Sequence, residues 1–105
     1  MTFDADTLNI ALSMSLEWGP VRKRAIEDRL AERFPLLGPR EIMALKLTCA
    51  EVERLAFGEF ERAYLKQTTT QKADAAIRQQ FPWIDADNMS HLATQGQYYA
   101  WHENG

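Results

Sequence analysis

PREIMALKLTCAEVERLAFGEFERAYLK, residues 39–66, is the stretch whose reading decides the fold. It contains no interior proline and is rich in Ala, Leu, Glu, Arg and Lys, all strong helix formers. Ile42, Leu45, Cys49, Val52, Ala56, Phe60 and Ala63 recur at alternating steps of three and four, which places them on one stripe of a helix. At 1.5 Å per residue such a helix runs on the order of 42 Å, with Gly58 the expected bend. The expected fold class is all-α.

Working outward, Asp4 or Asp6 is placed to cap a first helix that runs to about Trp18. Only Asn9, Ser13 and Glu17 form a polar strip on it, so it must be covered on more than one side. Gly19-Pro20 ends it and opens a second helix, Pro20 to Phe34, which Pro35 stops. Beyond the long helix, Thr68 and Gln71 have the spacing of a capping box. A fourth helix then runs to Phe81 and stops at Pro82. Asp85 or Asp87 caps a fifth that reaches about His102.

The two proline stops superpose at an offset of 47 residues. Leu30, Phe34-Pro35, Leu37, Ile42 and Leu45 then meet Ile77, Phe81-Pro82, Ile84, Met89 and Leu92. Cys49 pairs with Gly96 and Val52 with Tyr99, so the inward stripe is kept. The expectation is one 105-residue domain, a small bundle of four to five helices. Two helix–Phe-Pro turn–helix repeats, about 20–54 and 67–101, would surround the long central helix and be related by a pseudo-twofold axis.

The spacing Leu30, Phe34-Pro35, Ile42 resembles the start of the ubiquitin-binding CUE module, over some sixteen residues of each copy. The chain then departs from that family. Leu45 follows Ile42 by three residues where the module uses four, and the short third helix with paired leucines is absent. No ubiquitin-binding role is carried over.

With 12 basic and 15 acidic residues the net charge is −3, which weighs against wholesale nucleic-acid binding. One cysteine, Cys49, cannot form an internal disulfide and fits a reducing compartment. No apolar run is long enough to span a membrane, so no membrane role is expected and the location is read as cytoplasmic.

No catalytic constellation is visible: HExxH, CxxC, a Gly-rich phosphate loop and GxSxG are all missing. Neither a metal nor a cofactor is implied, and the chain is read as no enzyme. Three features stand out instead. Arg22, Lys23 and Arg24 crowd the expected start of the second helix, where N–H donors and cations together make an anion-binding candidate. Glu53 and Lys46 fall within or beside the apolar arc of the long helix, as buried-charge candidates that could pair with an arginine of the second helix, or as arc-edge residues whose stems pack on it. Trp18, with His91, Gln95, Tyr98, Trp101 and His102 of the last helix, forms the interaction-surface candidate.

The function expected from these features is a small helical interaction or regulatory protein that forms a homodimer and meets a protein partner yet to be named. The motive for the dimer is the first helix, with Met14, Leu16 or Trp18 facing a second copy together with the long helix beyond Gly58. The alternatives are a helix-turn-helix-like nucleic-acid module and a small anionic ligand at Arg22–Arg24. The helix after the second turn has no Lys or Arg, which argues against the former.

Overall fold

The computed structural model describes residues 2–104. Those residues form helices α1 (Ala5–Leu16), α2 (Ile26–Arg33), α3 (Pro39–Tyr64), α4 (Thr70–Gln80) and α5 (Ala86–Asn104), with no strand among them. The chain is all-α. It divides into two compact units, Met1–Ala50 and Glu51–Gly105, with the boundary inside α3. That helix is continuous across the boundary and through Gly58.

In the first unit, Asp4 caps α1, its carboxylate accepting from the Thr7 N–H at 2.7 Å. The helix ends at Leu16, two residues earlier than the sequence implies, because Glu17 turns extended and Gly19 sits at φ 100°. Ala11, Leu12 and Leu16 are buried, and Leu8, Ile10 and Met14 are partly so. Leu16, expected at a contact with a second copy, is thus buried within its own unit, while Leu8, Ile10 and Met14 keep part of their surface open. α1 packs against α2.

The second helix is much shorter than Pro20–Phe34. Pro20–Lys23 make a single 3₁₀ turn, Arg24 and Ala25 run extended, and α2 starts only at Ile26. Helix-dipole electrostatics explain the late start. Three cations at a helix N-terminus oppose the dipole, whereas Glu27 and Asp28 in the first turn of α2 suit it.

In the second unit, the far half of α3 buries Val52, Ala56 and Phe60. Gly96 of α5 lies so close to Phe60 that a Cβ there would stand 2.9 Å from the Phe60 Cβ. α3 closes with Lys66 in the left-handed region at φ 61° and a Gln67 N–H to Arg62 O bond of 2.9 Å. Thr69, not Thr68, caps α4, accepting from the Lys72 N–H at 3.1 Å. Asp85 caps α5, accepting from the Asn88 N–H at 2.9 Å.

Each unit holds one Phe-Pro turn, and the two share one backbone. Phe34 (φ −123°, ψ 69°) and Phe81 (φ −132°, ψ 72°) end their helices, each N–H bonded at 2.8 Å to Leu30 O or Ile77 O. Leu37 N–H then reaches Phe34 O at 3.1 Å, and Ile84 N–H reaches Phe81 O at 3.2 Å. The helices that follow begin at Pro39 and Ala86, again 47 residues apart. Leu30, Ile42, Leu45 and Cys49 are buried, as are Ile77, Met89, Leu92 and Gly96.

Candidate interaction surfaces

The C-terminal half of α5 presents aromatic rings to solvent. Tyr98 stacks on His102 one turn later, with centroids 6.0 Å apart and planes 9° from parallel. Its ring also lies 6.2 Å from that of Trp101. Trp101 and Tyr64 both line a cleft of about 360 Å³ floored by Phe60, Ala63, Thr70 and Gln97. Tyr64 (39%), Tyr98 (46%) and Trp101 (58%) are all exposed, so large apolar area faces water in one patch. Of the residues expected here, His91 and His102 are exposed. Gln95 is not: it is buried, next to Leu92 and Gly96 on the inner face. Trp18 is exposed too, but it belongs to the first unit.

The expected anion site loses its premise. Arg22, Lys23 and Arg24 ride on the four-residue 3₁₀ turn rather than on the first turn of a long helix. Arg24 is also engaged, its two terminal nitrogens on the two carboxylate oxygens of Glu32, with Nη1 to Oε2 at 3.0 Å. This fork holds the Glu32 carboxyl below its usual range and raises Arg24 further. Arg22 and Lys23 remain exposed beside it.

Lys46 pairs with Glu27 of α2 at 2.6 Å, both side chains about one-third exposed. The hydrogen bond from Lys46 holds Glu27 below its usual value. Glu53, in the other unit, is partly buried. Among the described residues the buried charge is Arg29, which the sequence reading missed. Its Nη2 donates to Met14 O at 3.1 Å and meets Glu17 Oε2 at 3.2 Å, tying α2 to the C-terminal end of α1. The signal was present, since Arg29 stands three residues after Ile26 and one before Leu30, on the inner arc of its helix.

At the turn of the first unit, what sequence reading did not show is the exposure of one side chain. Leu36 is 97% exposed there, at the edge of a cleft of about 420 Å³. Phe3, Phe34, Pro35 and Leu37 supply its apolar lining, and Asp4, Thr7, Arg33 and Glu41 its polar one. The Arg33 guanidinium lies 5.3 Å from the Phe34 ring centre.

Among the described residues no group of three His, Cys, Asp or Glu is arranged to hold a metal, and Cys49 is buried. No family model matches the chain, and no curated protein or solved structure matches it either.

Proposed function

We propose that the chain is a small non-enzymatic helical interaction protein that pairs with a second copy of itself. The observation carrying this reading is the aromatic patch of the second unit: Tyr64, Tyr98, Trp101 and His102 beside an open cleft. Tyr and Trp dominate the energetics of protein contacts, because they bring large area at low entropic cost. The rings of the patch carry their own hydrogen-bonding ends, which suits a contact that is apolar at its centre and polar at its edge. Closed twofold pairing is the usual outcome for such a self-complementary surface. The motive for a dimer thus moves from α1, whose Leu16 the chain buries, to α5 and the end of α3.

Light scattering at micromolar concentration tests the proposal. A mass near twice 12.1 kDa is expected, and Tyr98→Ala with Trp101→Ala should return the monomer. Both side chains are exposed, so helical circular dichroism should be unchanged. A wild-type chain that stays monomeric as concentration rises would sink the proposal.

A further inference from the structure

We infer that Met43 is a reversible modification site, whose thioether a hydroperoxide converts to the sulfoxide ahead of every other described sulfur, with the fold kept. Its reactivity does not depend on the self-association proposed above.

The chemistry needs an oxidant and access to the sulfur. A sulfur lone pair attacks one oxygen of the peroxide, the O–O bond breaks and an S=O bond forms. Sulfur gives up two electrons. The proton of the transferred oxygen goes to the one that leaves, which departs as water or an alcohol. Four sulfurs belong to described residues, those of Met14, Met43, Cys49 and Met89. Cysteine is ordinarily the first to be oxidised, but Cys49 is only 1% exposed. Met89 is 3% exposed and Met14 is partly buried. Met43 is 43% exposed, so an oxidant meets it without any opening of the fold.

The helix explains the difference. Ile42 and Leu45 are buried on the inner stripe of α3, and Met43 falls on the outer side with Leu47, one turn later and also exposed. An added oxygen therefore meets water rather than core. The equivalent place in the second copy, 47 residues on, holds Ser90, which has no sulfur to oxidise.

The product matters because of where the thioether sits. Met43 lines a groove of about 350 Å³ with Ala31, Leu37, Pro39 and Ile42. Glu27, the charged residue of that lining, is held by Lys46 at 2.6 Å. The methionine gives this groove a soft apolar wall, and the sulfoxide a polar and chiral one. Oxidation thus changes what the groove can accept, and a methionine sulfoxide reductase restores it.

The test treats the full chain with hydrogen peroxide at neutral pH, quenches it at intervals and maps the peptides by mass spectrometry. Met43 should gain one oxygen about tenfold or more ahead of Met89, and severalfold ahead of Met14. In concentrated urea the three methionines should react at one common rate. Helical dichroism should be unchanged when Met43 alone is converted, and the reductase with a thiol reductant should return the original mass. Met43→Leu should remove the fast phase and leave the slower ones at their wild-type rates.

Equal rates at the three methionines of the folded chain overturn the inference, and so does oxidation of Cys49 before Met43. Loss of helicity in step with Met43 oxidation overturns it as well, because the sulfur would then be reached only through unfolding. A sulfoxide that the reductase leaves in place overturns the reversibility. The wild-type map decides all of these without the variant.

Discussion

Phe34-Pro35 and Phe81-Pro82 impose the same turn on two stretches of chain that otherwise share little. In both, the proline denies the preceding phenylalanine a helical conformation, and a buried Leu30 or Ile77 carbonyl holds that residue's N–H. Even the caps that follow are two halves of one device. At Gly38 a side chain three residues on reaches back to the cap N–H, and at Asp85 the cap side chain reaches forward to Asn88. The surroundings differ. The second turn closes over Phe81 and Trp83, while the first leaves Phe34 partly open and Leu36 in solvent. The lesson is that the turn needs its Phe, its Pro and one buried anchor, and leaves the outward residues free to vary.

The largest effect should separate the two phenylalanines. Phe81 is 8% exposed, so Phe81→Ala should cost about 3–5 kcal/mol in a urea unfolding experiment. Phe34 is only partly buried, with a guanidinium on its ring, and Phe34→Ala should cost about half as much. Equal losses would mean that both turns are closed in solution, and the contrast would collapse.

A smaller effect is expected at Cys49 and Gly96, which the repeat makes equivalent. Cys49 fills its site at 1% exposure, so Cys49→Ala should cost about 1 kcal/mol of lost packing. Gly96→Ala adds a methyl where Phe60 already stands. The overpacking cost of about 1–3 kcal/mol should outweigh the roughly 1 kcal/mol that alanine gains over glycine in a helix. Gly96→Cys, the residue of the first copy, should be worse than Gly96→Ala. A stabilised Gly96→Ala would show that α5 moves away from Phe60 at no cost.

Much of this fold is legible in the chain itself, because proline stops and the three-four spacing act locally. The long helix, both Phe-Pro turns and the buried stripe of each copy follow from those rules alone. What was misread was decided by competition between local signals. Pro20 is well placed to begin a helix, but the three cations after it are not, and the helix waits for Glu27 and Asp28. Thr68 and Thr69 are equally good caps by type, and the chain uses the second, which takes the extended cap conformation. Burial of polar residues was harder still. Arg29 at least sits on the inner arc of its helix, but the burial of Gln95 and of Asn88, the latter with no exposed surface, carries no such local sign. The exposure of Leu36 was illegible for the same reason, since it depends on where the turn projects and on which residues line the cleft beside it.

The gentlest probe of the first unit is acid. Asp4, Glu27 and Glu32 all have carboxyls held below their ordinary values of 3.8, 4.5 and 4.5, by Thr7, Lys46 and Arg24 respectively. A depressed folded-state value means that the unfolded chain takes up the proton first. Each group therefore contributes its full stabilisation above its ordinary value, and loses it as pH falls through its lower folded value. From neutrality down to about pH 5 the melting temperature should not respond to these three groups. Below that it should drop progressively, and Glu27→Gln should flatten the drop by removing one of them. The groups lie at the surface, so the change should be small and should shrink further in high salt. A melting temperature that already falls between neutrality and about pH 5, and does so equally in Glu27→Gln, would place the acid sensitivity elsewhere.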